Sequence, residues 1–269
     1  MQNFELEKAL NTLLKSDSIV DYCPNGLQVQ GRRSVQKIIT GVTASLALIE
    51  QAIAQQADAI IVHHGYFWKG ENQTICHMKQ QRIKALLTHD INLYAYHLPL
   101  DVHPTLGNNA QLAQRLGISN IYALDAKPDG VLMRGEFTSP ISMSDLVLRV
   151  EQTLNRTPLV LGNGYSNNAL PLSGAAHSVV ATEPRLIKHI AWCTGGGQGY
   201  LEAAAQAGVD AFITGEASEQ TTHIAHEYDI TFIGAGHHAT ERYGVAALGQ
   251  YCQEQWDLDV SFIDISNPV

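Results

Sequence analysis

The stretch Ala59-Ile60-Ile61-Val62-His63-His64-Gly65 decides the fold of this chain. Four apolar residues run directly into two histidines and a glycine. A short, continuous apolar run that ends at a chain breaker predicts a strand buried on both faces, as in a parallel sheet. In open α/β sheets, ligand sites lie just beyond the carboxyl ends of such strands. Two imidazoles at this position indicate a metal site first and a structural role second.

The segments around this stretch alternate between strand and helix patterns. The N-terminal half is predicted to contain strands over 37–42, 59–62 and 91–97, and helices over 4–16, 46–53, 78–89 and 108–116. Strands that alternate with helices predict a βαβ arrangement and a parallel sheet.

The pattern changes after residue 121, where the breaker-rich segment 125–130 marks a candidate boundary. The rest of the chain is predicted to contain strands over 131–137, 187–193, 209–214, 230–235 and 260–264, and helices over 144–154, 198–207, 217–227 and from 237 onward. In both halves an ionisable residue follows each of two strands, which predicts two related α/β lobes. We assign 1–125 to the first lobe, and 126–235, with a polar loop near 162–184, to the second. Residues 236–269, a helix and a strand, complete the metal site and are assigned to neither lobe.

Composition limits the class of protein. The chain has 269 residues, 45% of them hydrophobic, and a formal net charge of −9, which is unfavourable for sequence-independent binding to nucleic acid. Its four cysteines are scattered without a CxxC pair, as is typical of a reduced, cytoplasmic protein. We expect no signal peptide, because the N-terminus lacks a basic region followed by an apolar core. No apolar run approaches the ~20 residues that cross a membrane.

Several ionisable residues follow predicted strands, and parallel strands would bring them to one edge of a sheet. They are His63, His64, His97, Asp101, Glu216, His237, His238 and Glu241. His237 and Glu241 are four residues apart, so in a helix both lie on one face, whereas His238 points about 100° away. We therefore favour His237 over His238 as a ligand.

Imidazoles and carboxylates without thiolate suit Zn, Mn, Fe or Ni. Three imidazoles and two carboxylates are too many for one tetrahedral ion, and they fit two ions that share a bridging carboxylate. Such a pair of metal ions generates hydroxide from bound water at neutral pH.

Other residues have open roles. His97 is compatible with a ligand, a general base, an orienting residue or a core histidine. Glu216 either lines the site or caps a helix. Gly195-Gly196-Gly197 either cradles phosphate or makes a tight turn. Trp68 and Tyr66 either stack on a substrate or pack in the core.

Seven segments resemble the GTP cyclohydrolase 1 type 2 homologue family, also called NIF-three-like dinuclear metal-binding proteins. They are Asn25-Gly26-Leu27-Gln28-Val29, Gly41-Val42-Thr43-Ala44-Ser45, Val62-His63-His64-Gly65, His97-Leu98-Pro99-Leu100-Asp101, Gly107-Asn108-Asn109, Ala211-Phe212-Ile213-Thr214-Gly215-Glu216 and Gly236-His237-His238-Ala239-Thr240-Glu241.

The resemblance implies two interlinked α/β lobes and a ring-shaped homohexamer whose sites face an internal cavity. It places the metal ligands at His63, His64, Asp101, His237 and Glu241, with Glu241 bridging both ions. GTP opening would need guanine and triphosphate contacts, and the sequence has no P-loop and no obvious arginine cluster. We therefore treat GTP cyclohydrolase activity as part of the family name that the residues of this chain do not support by themselves.

The sequence favours a cytoplasmic hydrolase that acts on a nucleotide or related small molecule through metal-bound hydroxide. His97 and Glu216 are the candidate catalytic residues that move protons. Two alternatives are a GTP cyclohydrolase and a non-enzymatic metal-binding scaffold.

Overall fold

The computed structural model describes residues 1–162 and 185–269. The predicted polar loop near 162–184 thus lies, from residue 163 onward, outside the described residues. The chain forms two compact units, which we call unit 1 and unit 2. Unit 1 contains Met1–Gln111 and Glu241–Ser266, and unit 2 contains Leu112–Thr240 and Asn267–Val269. The chain passes from unit 1 to unit 2 after residue 111, which is earlier than the predicted boundary after 125. It returns to unit 1 after residue 240, which is later than the predicted boundary after 235.

Unit 1 is built on a mixed five-stranded sheet. Its strands are β1 (Gly26–Val29), β2 (Lys37–Thr43), β3 (Ala59–His64), β4 (Asn92–Ala95) and β11 (Asp259–Phe262). They lie in the order β1-β4-β3-β2-β11. Strand β1 is antiparallel to β4, and the remaining neighbours are parallel. Most of the C-terminal segment, Glu241–Ser266, belongs to this unit, and its strand β11 pairs with β2.

Helices cover both faces of this sheet. They are α1 (Asn3–Leu14), α2 (Leu46–Ala54), α3 (His77–Thr88), the short α4 (Leu98–Asp101), the start of α5 (Asn108–Leu116) and most of α9 (His237–Trp256). Ser45 caps α2, since its hydroxyl accepts the Leu48 N–H at 3.2 Å.

Strand β3 contributes to the cores on both faces of the sheet. Ile61 packs in a cluster with residues of α1 and α9, such as Leu6 and Leu248. Ile60 and Val62 pack on the opposite side, in a cluster that includes residues of α2 and α3. All three side chains are fully buried, which explains why this strand is continuously apolar and does not alternate.

Unit 2 has its own sheet, with six strands among the described residues. They are β5 (Ser119–Ala123), β6 (Met133–Ser142), β7 (Leu159–Leu161), β8 (Leu186–Cys193), β9 (Ala211–Thr214) and β10 (Thr231–Gly234), in the order β5-β6-β8-β9-β10-β7. Strands β8, β9 and β10 are parallel, and their other pairings are antiparallel. The helices assigned wholly to this unit are α6 (Met143–Leu154), α7 (Leu201–Gln206) and α8 (Glu219–Glu227).

The two sheets share a strand order. In each, an antiparallel edge strand is followed by three parallel strands in reverse chain order: β1-β4-β3-β2 in unit 1 and β7-β10-β9-β8 in unit 2. The predicted α/β class with two lobes is thus confirmed, and the shared order supports their relatedness.

Among the strands of residues 1–162 and 185–269, three were not predicted, and each is short or exposed. Strand β1 has only four residues and begins within the dipeptide Asn25-Gly26, which is a strong turn signal. Strand β7 has three residues, and three of the five residues of β5 are exposed. The predicted helix 198–207 is a 3-10 turn followed by the shorter α7. Within the described ranges, no helix combines the length and apolar composition that crossing a bilayer requires.

Candidate metal centre

Four of the five predicted ligands lie together in unit 1. His63 and His64 end β3, Asp101 ends α4, and Glu241 lies in the first turns of α9. Nε2 of His63 is 3.5 Å from Oδ1 of Asp101 and 3.4 Å from Oε1 of Glu241. Nε2 of His64 is 3.2 Å from the other oxygen of Glu241, Oε2. One carboxylate therefore faces two imidazoles, one with each oxygen.

The innermost part of this cluster suits a cation. Single ligand atoms of His63, Asp101 and Glu241 all lie within 4.8 Å of one another, and all three residues are buried. Nε2 of His63 is buried and has no hydrogen-bond partner among the described residues. Buried polar atoms normally have a hydrogen-bond partner. An imidazole nitrogen that lacks one and lies between two carboxylates is therefore suited to bind a metal ion.

The carboxylates also shift the acid–base behaviour of the cluster. Burial lowers the pKa of His63, but the charges of Asp101 and Glu241 outweigh it and raise the pKa to about 9. Burial raises the pKa of Asp101, and the nearby Glu241 charge adds to that rise, while His63 opposes it. Positive charge is therefore favoured at this position, whether a proton or a cation supplies it.

The ring orientation of both ligand histidines is fixed through Nδ1. The backbone carbonyl of Tyr96 lies 2.9 Å from Nδ1 of His63, and the Thr43 hydroxyl lies 3.2 Å from Nδ1 of His64. Metal-binding histidines are commonly held in this way by an oxygen atom behind the ring. Both Nε2 atoms consequently point into the cluster.

His97 stands beside these two rings. Its ring centroid is 5.0 Å from that of His63 and 5.8 Å from that of His64. A nitrogen from each of the three rings lies within 4.8 Å of the other two, so this is a second group that could hold a metal ion. Nδ1 of His97 is 2.8 Å from Oδ1 of Asp21. Asp21 was not among the residues that the sequence predicted for the site.

The aromatic side chains near the cluster have different roles. Tyr66 is buried and donates its hydroxyl hydrogen to the Ala44 carbonyl at 2.7 Å, so it is a core residue. Trp68 is half-buried, and its ring centroid lies 4.9 Å from that of His97 in an edge-on arrangement. Trp68 thus forms part of the wall around His97.

Unit 2 holds the remaining predicted residues. His237 begins α9, and its Nδ1 is 2.7 Å from Oε1 of Glu216, which follows β9. Glu216 is not a helix cap, because Ser218 occupies the N-cap position of α8. His238 is buried, and its backbone N–H donates to the carbonyl of Val269.

The glycine run at 195–197 forms a turn tied to its own unit. The N–H of Gly195 donates to the Thr240 hydroxyl at 3.0 Å, and the N–H of Gly197 donates to the Thr214 hydroxyl at 2.9 Å. Two of the three amide groups that would cradle a phosphate are therefore used internally. This supports the tight-turn interpretation.

Comparisons with known proteins agree on one family. The family model described as Duf34/NIF3 (NGG1p interacting factor 3) matches residues 1–268. A curated relative from Yersinia pestis, named GTP cyclohydrolase 1 type 2 homolog, is 54% identical over 268 residues and covers 100% of both chains. Among solved structures, protein ybgI, described as of unknown function, matches with a TM-score of 0.89 and 50% identity. TTHA1606 from Thermus thermophilus matches with a TM-score of 0.84 and 31% identity. Both structural matches cover 100% of each chain.

Proposed function

The chain belongs to the Duf34/NIF3 family, and from that premise we propose that it is a metal-dependent hydrolase that holds two divalent cations. The observation that carries the proposal is the Glu241 carboxylate, whose two oxygens face His63 and His64 separately at 3.4 and 3.2 Å. A carboxylate that meets two imidazoles with different oxygens suits a bridge between two ions.

The proposed ligand set is the one that the sequence predicts. It consists of His63, His64, Asp101, His237 and Glu241, which together would hold two ions. We include His237 because it precedes Glu241 by four residues in α9, and that spacing places both side chains on one face of the helix. Nitrogen and carboxylate ligands are suitable for Zn, Mn, Fe or Ni.

The chain's own residues would position the substrate and move protons. Two divalent cations, when bound, supply Lewis acidity and acidify water. His97 lies beside the ligand rings and is the residue proposed to exchange a proton with the substrate. Glu216 holds the His237 ring through Nδ1, and its side chain is 37% exposed, so it can also exchange protons with solvent.

A nucleotide or a related small molecule is the proposed substrate. GTP is the first compound to test, because the relatives carry the name GTP cyclohydrolase 1 type 2 homolog. We further propose a cytoplasmic homohexamer, in line with the family resemblance. Its four cysteines are free thiols, as expected in a reducing compartment.

Metal analysis of two matched variants tests the metal proposal. Protein dialysed with Mn²⁺ or Zn²⁺ and then freed of excess ion should retain about two ions per chain. Glu241→Gln keeps the shape but removes the bridging charge, so at least one ion should be lost. Glu254→Gln is the control, because Glu254 lies in the same helix, is exposed and should leave metal content unchanged. Equal metal content in both variants would contradict the proposal.

Turnover separates an enzyme from a scaffold. The loaded protein would be incubated with GTP, other nucleotides and phosphoesters, with a chelator-treated sample as the blank. Hydrolysis that disappears in Glu241→Gln supports the hydrolase. A fully loaded protein that is inert towards this panel favours a non-enzymatic metal-binding scaffold. Native mass measurement tests the hexamer independently.

A further inference from the structure

Asp21 and His97 form a buried carboxylate–imidazole pair next to the ligand histidines. Oδ1 of Asp21 lies 2.8 Å from Nδ1 of His97, and only 2% of the Asp21 side chain and 11% of the His97 side chain are exposed. The two residues are 76 positions apart in the chain. A buried contact of this length is a strong, charge-assisted hydrogen bond if the imidazole donates its Nδ1 proton.

The Asp21 carboxylate is fixed by further donors. Its Oδ1 accepts the Tyr22 N–H at 2.7 Å, and its Oδ2 accepts the Leu98 N–H and the Asn25 side-chain amide, both at 2.9 Å. Burial raises the pKa of Asp21, but the interactions with His97, Asn25 and Tyr22 outweigh it and keep the pKa below its usual value. The carboxylate is therefore an ionised acceptor in a set position.

Asn25 is hydrogen-bonded to both members of the Asp21–His97 pair. Its Oδ1 accepts the backbone N–H of His97 at 2.8 Å, while its amide nitrogen donates to Asp21. The loop that carries Asp21 and Asn25 thus holds both the backbone and the ring of His97. Trp68 and Tyr22 lie around that ring, with centroids 4.9 and 5.4 Å from it.

We propose that Asp21 is a positioning residue that fixes His97 as the tautomer with its proton on Nδ1. A neutral imidazole carries one proton, so when Asp21 accepts it from Nδ1, Nε2 is left as a proton acceptor. Cys23 is not an alternative acceptor for the His97 proton, because burial and the Asp21 charge raise the pKa of its thiol to about 12. The catalytic use of Nε2 rests on the proposed hydrolase, whereas the tautomer itself does not.

Nitrogen-15 NMR of histidine side chains tests this inference without a substrate. The protein would be labelled with ¹⁵N-histidine and loaded with Zn²⁺, and long-range ¹H–¹⁵N spectra would distinguish protonated from unprotonated ring nitrogens. His97→Gln assigns the His97 signals. We expect Nδ1 to be protonated and Nε2 to be unprotonated in the native protein. In Asp21→Asn, the ratio of the Nδ1–H to the Nε2–H tautomer should fall at least about tenfold, because a hydrogen bond to a charged acceptor is lost.

Asp17→Asn is the matched control, because Asp17 is exposed and lies four residues earlier. It should leave the His97 spectrum unchanged. A native spectrum with the proton on Nε2, or an unchanged tautomer ratio in Asp21→Asn, overturns the inference. The native spectrum needs no Asp21 variant, so it decides the question even if Asp21→Asn does not fold.

Zinc content separates this inference from the proposed function. Asp21→Asn should retain the native zinc content, because Asp21 acts through His97 and is not a ligand. Loss of zinc comparable to that in Glu241→Gln would make Asp21 part of the metal site and would contradict the positioning role. A native protein that binds no zinc refutes the metal proposal, while the tautomer of the same sample still supports or overturns the role of Asp21.

Discussion

The side-chain amide of Asn108 donates a hydrogen bond of 2.8 Å to Oδ1 of Asp101. Asn108 is fully buried at the start of α5, and its own Oδ1 accepts the backbone N–H of Gly244 at 3.0 Å. Gly244 lies in α9, three residues after Glu241. A single amide therefore connects the Asp101 carboxylate to the helix that carries the proposed bridging carboxylate.

Replacing Asn108 by Asp should weaken cation binding by about 10–100-fold, the usual effect of losing a group that orients a metal ligand. The change preserves size, removes the donor to Asp101 and places a second negative charge beside it. Zinc affinity can be measured by competition with a chromogenic chelator. The matched control is Asn120→Asp, because Asn120 also donates to a carboxylate, that of Glu136, but on the surface of unit 2. Equal zinc affinity in the two variants would show that Asn108 does not position Asp101.

Gly244→Ala should destabilise unit 1 although alanine is the better helix former. A Cβ at Gly244 would lie 2.2 Å from Oδ1 and 2.9 Å from the backbone N of Asn108. Relief of such crowding costs about 1–3 kcal/mol, more than the ~1 kcal/mol gained from helix propensity. The free energy of unfolding in urea measures the difference. Gly199→Ala serves as the control, since nothing lies within 4 Å of the position that its Cβ would take. A Gly244→Ala protein as stable as the native one would refute the close approach.

Continuous burial made three of the predicted strands recognisable from the sequence. Strand β3 reads as an unbroken apolar run because it is covered on both sides, and the same holds for β9 and β10. Strand β1 could not be recognised because its four residues follow a strong turn signal and its pairing with β4 is a long-range contact. Local sequence contains no information about such a partner.

The candidate site shows the same limit. His63, His64, Asp101 and Glu241 could be grouped from the sequence because each follows a predicted strand. Asp21 was missed because it lies in a loop without periodicity, far along the chain from His97. The sequence pattern could indicate which side chains are candidate cation ligands, but not which groups hold those side chains in place.

A second buried amide, Asn92, should be important for the stability of unit 1. Its Oδ1 accepts the N–H of Gly31 at 2.9 Å and the side-chain amide of Asn3 at 3.2 Å. Its Nδ2 donates to the carbonyls of Arg32 and Asp58 at 2.8 and 3.1 Å. All the hydrogen-bonding positions of this amide are thus used at a fully buried residue.

Asn92→Ala leaves several of these partners unsatisfied and should cost at least about 2 kcal/mol in the free energy of unfolding. Asn267→Ala, at an exposed position near the C-terminus, should change it by less than about 0.5 kcal/mol. Urea unfolding followed by circular dichroism gives both values. If the two variants were equally stable, the Asn92 network would make no net contribution.

Thiol alkylation tests the burial and the pKa values of the cysteines. Burial and the Asp21 charge raise the pKa of Cys23 to about 12, and burial raises that of Cys252 to about 12. Because the thiolate is the reactive form, a thiol with this pKa is ionised in only about one molecule in 10⁴ at pH 8. Cys193 is also buried, whereas Cys76 is exposed.

Iodoacetamide at pH 8 should therefore modify the folded protein at Cys76 and leave the other three cysteines unmodified, as peptide mass spectrometry would show. The thiolate fraction of Cys23 rises about tenfold for each pH unit, yet at pH 10 it is still only about 1 in 100. Protection should therefore persist at pH 10 and disappear in urea, where all four cysteines become accessible. Cys76→Ser should remain unlabelled until it unfolds. Rapid labelling of Cys23 in the folded protein would show that the loop from Asp21 to Asn25 opens readily, which would also weaken the case that this loop holds His97.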